Sequence, residues 1–276
     1  TAIMLTDIHT HSAFSADGET ALAEMLARAR SLGVAYYGVS EHFDYDYLAE
    51  GILAEGKPVP MVDAPAYFAE ARRLQAQYAQ SMRVLVGGEF GFSPHPDAQR
   101  LYADTVARFH PDFVVNSTHS VDGKDVWFGE YFTGKDKREA YRRYLVRVRE
   151  SLDAPYPYDI VGHLGYVARN APYADKALRC ADFSDLIDDI LSTVIARGKI
   201  LEVNSSARGA GDFLPARDIL ERYFVLGGRM VSFASDAHRA DRILCGRENV
   251  VRVLREIGFA GVTVPDCGVY HLVPFE

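Results

Sequence analysis

Short apolar runs alternate with amphipathic stretches along the whole chain. Residues 2–9 (AIMLTDIH) form the first run, and residues 20–33 form the first stretch, in which apolar side chains recur every three or four positions before Gly33. The run predicts a buried strand, and the stretch predicts a helix that ends at a glycine. Further strands are predicted at 34–42, 83–89, 112–119, 158–163, 199–206 and 228–238, and further helices at 64–80, 97–108, 136–151, 182–197, 215–224 and 247–258.

The predicted strands are too apolar to be half-solvated, which is typical of a parallel sheet covered by helices. Seven strand–helix units in succession favour a closed or nearly closed barrel over an open doubly wound sheet. No Pro-, Gly- or Ser-rich linker interrupts the chain, so we predict an α/β fold in which residues 1–276 form a single (β/α)7 barrel domain. Two connections, at 43–63 and 120–135, are long, and such loops usually serve as lids or binding loops.

Rare polar residues stand at the carboxyl ends of the predicted strands. They are His9, His11, His42, Glu89, His119, His163, Asn204, Asp236 and His238. The carboxyl ends of a parallel barrel all open to one mouth, where active sites lie, so we expect these side chains to converge. A single histidine is more often an ordinary core or surface residue. We assign no function to His95, His110 and His271, which lie away from these ends.

Nine of the polar residues in and near these ends are candidate metal ligands. They are His9, His11, Asp17, His42, Glu89, His119, His163, Asp236 and His238. A catalytic zinc uses about three protein ligands, so the set suits two or three divalent transition metals, with Zn, Fe or Mn matching imidazole and carboxylate donors. Two ions roughly 3.5–4 Å apart hold the oxygens of an in-line phosphoryl displacement and activate a bridging water.

The net charge of −8 argues against binding to long nucleic acid or to an anionic membrane surface, because both need a basic protein surface. It permits a small anionic substrate, because bound metal ions reverse the local charge. No apolar run approaches a membrane span, and the first residues lack a signal-peptide pattern. Cys180, Cys245 and Cys267 are far apart, so we expect no disulfide and a cytoplasmic location.

Six short segments, taken together, resemble the PHP (polymerase and histidinol phosphatase) superfamily. They are DIHTHS at 7–12, SEH at 40–42, GGE at 87–89, NSTHS at 116–120, GHLGY at 162–166 and SDAH at 235–238. Within the superfamily, NSTHSVDG, the YF pair at 131–132, GHLGYVAR and FSDLID at 183–188 are similar to the histidinol-phosphatase branch. The resemblance covers nearly the whole chain and implies a distorted seven-stranded βα barrel with a trinuclear metal site.

The resemblance also implies how the ligands are shared among three ions. It places a first metal at His9, His11, Glu89 and Asp236, a second at Glu89, His119 and His163, and a third at Asp17, His42 and His238. Glu89 would bridge the first two. Some relatives have histidine in place of Asp17, so the metal preference of the third site is left open.

Several residues outside this set have two possible roles. Arg169 and Arg208 follow strand ends, where each is either a phosphate clamp or a solvated loop arginine. Asn204 either orients a metal ligand or is a turn residue. The proton for the leaving group can come from Asp17, His238 or a metal-bound water.

The two long loops contain further candidates for substrate contact. The aromatic segment WFGEYF at 127–132 either packs on a flat substrate ring or forms a core of its own loop. The acidic segment DYDYLAEG at 44–51 either meets a substrate amine or is simply solvated.

The favoured function is a metal-dependent phosphomonoesterase that acts on L-histidinol phosphate in histidine biosynthesis, with a hydroxide that bridges two metals as the nucleophile. The alternative is a phosphatase or phosphodiesterase for another small phosphoester, such as a nucleotide. An amidohydrolase-like barrel is disfavoured because no lysine ends a strand where Glu89 does. A regulatory, non-catalytic barrel is disfavoured because all nine ligands are present.

Overall fold

Seven parallel strands form one curved sheet in the computed structural model, which describes residues 3–206 and 212–275. The strands are β1 (Leu5–Asp7), β2 (Val34–Phe43), β3 (Arg83–Gly91), β4 (Phe113–Ser117), β5 (Ile160–Val161), β6 (Ile200–Asn204) and β7 (Val231–Ala234). Each strand pairs in parallel with the next strand along the chain. The sheet order therefore follows the sequence order, as a barrel requires.

Helices connect the strands and cover the outside of the sheet. They are α1 (Leu22–Ser31), α2 (Tyr45–Glu50), α3 (Ala64–Tyr78), α4 (Pro96–Phe109), α5 (Lys137–Ser151), α6 (Ser184–Ala196), α7 (Arg217–Val225) and α8 (Arg247–Ile257). Aspartate carboxylates cap the N-termini of α3 and α5. Asp63 accepts a hydrogen bond from the amide of Ala66 over 3.1 Å, and Asp136 accepts one from the amide of Glu139 over 2.8 Å.

The sheet nearly closes into a barrel because β1 meets the residues that follow β7. The amide of Asp236 donates to the carbonyl of His9 over 2.9 Å, and the amide of His11 donates to the carbonyl of Ala237 over 2.8 Å. These bonds lie just beyond the carboxyl ends of the two strands. The backbone contacts that complete the barrel therefore involve the same segments that carry the candidate ligands.

A buried aspartate reinforces this seam between β1 and β7. The Asp7 carboxylate accepts hydrogen bonds from the amides of Ser235 and Leu244, each over 2.9 Å. Burial raises the pKa of Asp7 to about 6, because an ionised carboxylate loses the solvation of water. The two amide bonds partly offset that cost and fix the chain beyond β7 against β1.

The predicted nearly closed parallel barrel is confirmed, and all seven predicted helices form with ends shifted by a few residues. Five strands are shorter than predicted, and β5 has only two residues, whereas β2 and β3 extend one and two residues beyond their predicted ends. A C-terminal hairpin, β8 (Gly261–Asp266) and β9 (Val269–Pro274), was not predicted. β1, β4, β5 and β7 end before His9, His119, His163 and Asp236, which leave the backbone ladder and turn into the mouth of the barrel, whereas His42 and Glu89 stay within β2 and β3.

The two long connections are partly ordered and contact each other. The 43–63 connection contains α2 and a small hairpin, and the 120–135 connection contains a second small hairpin. The Tyr47 hydroxyl donates to the Asp125 carboxylate, and the Ser120 hydroxyl donates to Asp46 over 3.0 Å. Both bonds join one connection to the other, so the pair forms one wall at the mouth.

Among the helices of residues 3–206 and 212–275, none has the length and apolar character needed to cross a membrane.

Substitution of Gly38 in β2 tests how closely this strand approaches the backbone of Ile8, which follows β1. A Cβ atom there would lie 2.4 Å from the carbonyl oxygen of Ile8, which is backbone and cannot move aside freely. We expect Gly38→Ala to lower the free energy of unfolding by about 1–3 kcal/mol, measured by urea denaturation. The control is Gly129→Ala, where a Cβ meets nothing within 4 Å. Equal stability of the two variants would contradict the close approach.

Candidate metal centre

The structure brings all nine predicted ligand residues together at the carboxyl ends of the strands. His9 and His11 follow β1, His42 and Glu89 end β2 and β3, and the remaining residues follow β4, β5 and β7 or lie in the loop after β1. His42 and Glu89 are adjacent in the sheet register. The donor atoms form three neighbouring clusters, and Glu89 belongs to the first two.

The first cluster contains His9, His11, Glu89 and Asp236. His9 Nε2 lies 3.0 Å from His11 Nε2, 3.2 Å from Glu89 Oε2 and 3.5 Å from Asp236 Oδ1. His11 Nε2 lies 3.3 Å from Glu89 Oε2 and 3.2 Å from Asp236 Oδ1. Ligands of a tetrahedral zinc at its usual bond length are about 3.3 Å apart, so these four donors suit one ion.

The second cluster uses the other oxygen of Glu89. Its Oε1 lies 2.9 Å from His163 Nε2 and 3.1 Å from His119 Nε2, and the two ring nitrogens are 3.3 Å apart. Three donors at these separations leave a fourth position open, which is the arrangement of catalytic zinc sites. The two oxygens of one carboxylate thus face two different clusters, as a bridging ligand requires.

The third cluster is the most open to solvent. Asp17 Oδ2 lies 3.2 Å from His238 Nε2, Asp17 Oδ1 lies 3.6 Å from His42 Nε2, and the two ring nitrogens are 3.4 Å apart. The Asp17 side chain is 62% exposed, whereas Glu89 is 1% exposed. His42 also faces the interior, because its Nδ1 lies 3.0 Å from Glu89 Oε2. It therefore joins the outer cluster to the inner ones.

Buried charges explain why these side chains need a cation. Burial alone would raise the pKa of the Glu89 carboxyl, but the rings of His9, His119 and His42 hold it well below its ordinary value. Burial lowers the pKa of His119, yet Glu89 outweighs this effect and raises it to about 9. Burial lowers the pKa of His163, which favours the neutral imidazole that binds metal. Metal binding would therefore release protons from rings such as His119.

Glu202 in β6 is a functional residue that the sequence pattern did not reveal. Its carboxylate accepts a hydrogen bond from the His9 ring at Nδ1 over 2.7 Å, and bonds of 2.9 Å from the His163 amide and the Asn204 side chain. A carboxylate behind a ligand histidine fixes the orientation and tautomer of the ring. The available signal was a charged residue inside an apolar predicted strand, in the run KILEVN.

Glu41 supports the loop after β1 in a similar way. Its carboxylate accepts hydrogen bonds from the amide of Ser12 and from the hydroxyls of Ser12 and Ser15. The Ser15 hydroxyl also accepts a bond from the His42 amide over 3.0 Å. Gly18 completes this tight turn, since a Cβ there would lie 1.7 Å from the Ser12 carbonyl oxygen. The loop that carries Asp17 is thus held at its base.

Arg169 and Asn204 lie beside the first cluster, and Arg208 lies outside the described residues. Asn204 Nδ2 donates to Asp236 Oδ2 over 3.2 Å, so Asn204 orients a candidate ligand rather than serving only as a turn residue. Its Oδ1 accepts a 2.8 Å bond from Arg169 Nη2. Arg169 Nη1 lies 3.8 Å from Asp236 Oδ2, and Arg169 Nε is buried without a hydrogen-bond partner in the described part of the chain.

The aromatic residues of segment 127–132 do not share one role: some form the core of the loop, and one lies at the mouth of the site. Tyr131 and Phe132 are buried in the core, and the Tyr131 hydroxyl donates to the Ala140 carbonyl over 2.6 Å. The Trp127 ring instead stacks on Tyr166 at 5.7 Å between centroids. Tyr166 in turn packs on the rings of both second-cluster histidines. Trp127 therefore belongs to the mouth of the site.

The three histidines to which we assigned no function lie apart from the clusters. The His95 ring accepts a hydrogen bond from the Asp97 amide at the start of α4, His110 ends the same helix with a left-handed backbone, and His271 lies in β9. His95 and His110 thus lie at the two ends of α4.

Comparison with known proteins places these features in a family. A family model described as the PHP domain matches residues 7–206. The histidinol-phosphatase of Lactococcus lactis is 29% identical over 257 residues, which cover 92% of this chain and 91% of that protein. A probable histidinol-phosphatase of Thermotoga maritima is 27% identical, with 94% of each chain covered.

Two solved structures have the same fold. The crystal structure of the Lactococcus lactis histidinol phosphate phosphatase, complexed with zinc, L-histidinol and phosphate, matches with a TM-score of 0.83 and 26% identity over 98% of this chain and 100% of that one. The structure of a putative histidinol phosphatase from Listeria monocytogenes matches with a TM-score of 0.75 and 21% identity, covering 88% and 98%. Since the family model spans well over half of its residues, the chain belongs to the PHP domain family.

Proposed function

We propose that this protein is a metal-dependent phosphomonoesterase that hydrolyses L-histidinol phosphate to L-histidinol and phosphate. The observation that carries the proposal is the Glu89 carboxylate, whose two oxygens lie within 3.3 Å of histidine nitrogens from two different clusters. This is the donor arrangement of a two-metal phosphatase. Support for the substrate comes from the Lactococcus lactis relative, whose structure contains zinc, L-histidinol and phosphate.

In this proposal the clusters hold two or three divalent transition ions, of which Zn, Fe and Mn suit the donors. The first ion would be held by His9, His11, Glu89 and Asp236, the second by Glu89, His119 and His163, and the third by Asp17, His42 and His238. When bound, the ions polarise the phosphoryl group and activate the water that attacks phosphorus.

Side chains of the protein bind the phosphate and supply the proton that the leaving oxygen takes up. Arg169 supplies a guanidinium whose Nε is free of partners in the described residues, and we assign it to the phosphate oxygens. Asp17 and His238 lie at the exposed edge of the site, 3.2 Å apart. Asp17 raises the pKa of the His238 ring against the effect of burial, which favours a proton on that ring for the leaving oxygen. With three ions bound, both residues are ligands.

The function is tested by assaying the protein after reconstitution with Zn, Fe or Mn. We expect two or three metal ions per chain by elemental analysis, and the highest kcat/KM on L-histidinol phosphate among a panel of phosphomonoesters, mononucleotides and diesters. Chelation should abolish turnover, because the ions stabilise the charge that develops at phosphorus. A higher kcat/KM on a mononucleotide or a diester would replace the proposed substrate, and one ion or fewer would exclude the shared-carboxylate site.

Glu89→Gln tests the bridging carboxylate. The amide keeps the size of the side chain and removes the charge that two cations share. We expect metal content and kcat to fall together, with kcat reduced by more than about 100-fold, since even indirect supports of a metal ligand are worth 10–100-fold. The control is Glu24→Gln on the exposed side of α1. Full metal content in Glu89→Gln would show that Glu89 is not a bridge.

Arg169→Ala separates phosphate binding from metal binding. Loss of a charge-assisted hydrogen bond worth roughly 1.5–3 kcal/mol should lower kcat/KM about 10–100-fold and leave the metal content unchanged. Arg169→Lys should restore part of the loss, because it keeps the charge without the two-point geometry. Arg28→Ala on the exposed face of α1 is the matched control. Reduced metal content in Arg169→Ala would instead assign Arg169 to the positioning of Asp236.

A further inference from the structure

Asp44 stands at the start of a helix but does not cap it. It immediately precedes α2, where an aspartate side chain ordinarily accepts a hydrogen bond from an amide of the first turn. The Asp44 carboxylate makes no such bond, and no side chain or amide within residues 3–206 and 212–275 donates a hydrogen bond to it. Only 13% of the side chain is exposed. A carboxylate withdrawn from water without a donor is costly, which indicates that its partner is a ligand.

A second carboxyl group lies in the same segment and is fully buried. Asp46 has no exposed surface, and its Oδ2 accepts the bond from Ser120 while its Oδ1 is buried without a partner in the described chain. Burial raises the pKa of Asp46, and the Asp44 carboxylate raises it further, because two close negative charges repel. A bound cation would favour the ionised form of both carboxyl groups.

The Asp44 carboxylate lies beside the metal clusters rather than at the outer surface. The Asp44 carboxylate and ring nitrogens of His42 and His119 lie within 4.8 Å of one another. The Tyr166 ring packs against the His119 ring at 5.4 Å between centroids, and the Trp127 ring stacks on Tyr166. A carboxylate and an aromatic surface that flank one imidazole are suited to an organic cation attached to a flat ring.

We propose that Asp44, backed by Asp46, binds the ammonium group of the substrate and makes the enzyme selective for phosphomonoesters that carry an amine near the ester oxygen. The inference rests on the proposed function, since L-histidinol phosphate has its amine on the carbon next to the one that bears the ester oxygen. A phosphate held at the clusters therefore brings the amine towards Asp44. Charge-assisted hydrogen bonds of this kind are short and strong.

Geometry favours the amine over a further metal ion at this place. His42 Nδ1 lies 3.9 Å from Asp44 Oδ1, whereas His42 Nδ1 lies 3.0 Å from Glu89 and His119 Nε2 lies 3.1 Å from Glu89. The ring nitrogens of His42 and His119 thus lie nearer to Glu89 than the 3.9 Å that separates His42 from Asp44. Asp44, His42 and His119 are close enough to hold an ion together, but Glu89 engages both rings at shorter distances, which leaves the Asp44 carboxylate available to an ammonium group.

The test compares L-histidinol phosphate with its deamino analogue, 3-(imidazol-4-yl)propyl phosphate, in the metal-loaded enzyme. The wild type should prefer the amine-bearing ester, and Asp44→Asn should lower the ratio of the two kcat/KM values about 10–100-fold with metal content unchanged. Glu55→Gln, an exposed residue of the same connection, is the charge-matched control and should leave the ratio unchanged. Calorimetry with L-histidinol alone should show the same loss of affinity in Asp44→Asn.

The possible outcomes separate this inference from the proposed function. An unchanged ratio in Asp44→Asn, or a wild type that accepts the deamino analogue equally well, would overturn the amine site while leaving the phosphatase in place. Loss of metal from Asp44→Asn would make Asp44 a ligand instead. If the wild type hydrolyses neither ester, the proposed function fails. The calorimetric comparison of L-histidinol with 3-(imidazol-4-yl)propanol, in both proteins, then decides the amine site by itself.

Discussion

The backbone seam between β1 and β7 is the constraint on which the site depends. The amides of Asp236 and His11 complete the barrel by bonding across it, to the carbonyls of His9 and Ala237. Residues whose main chains close the barrel therefore carry side chains of the first cluster. Because backbone hydrogen bonds hold these segments together, the fold brings the donor atoms of the first cluster close to one another.

Charge is the second constraint, and it acts through buried carboxylates. Glu89 is surrounded by rings, and its charge is maintained by them in spite of burial. Glu202 lies on the other side of His9 and uses its oxygens on one ring and on the amide of His163. Each inner histidine is thus oriented by a carboxylate or faces one. Ions bound here would complete a network that is already polarised to receive positive charge.

The sequence predicted the barrel and the convergence of ligands because both follow from regular patterns. Alternation of apolar runs and amphipathic stretches fixed the order of strands and helices, and polar residues at the strand ends identified the mouth. Glu202 and Glu41 were missed because their partners, such as His163 and Ser12, are distant in sequence and only the folded chain brings them close. The role of Asn204 was likewise ambiguous until its contact with Asp236 was seen.

The contact between the two long connections affects which amino-acid substitutions this protein can accept during evolution. Tyr47 bonds Asp125, and Asp46 bonds Ser120, so each connection supplies the buried partner of the other. A substitution in one connection leaves a polar group of the other without its partner, which costs stability inside the protein. Changes in this wall are therefore expected to arise as coordinated pairs during evolution. The ligands on the strands, which lie outside these bonds, can stay constant while the wall changes.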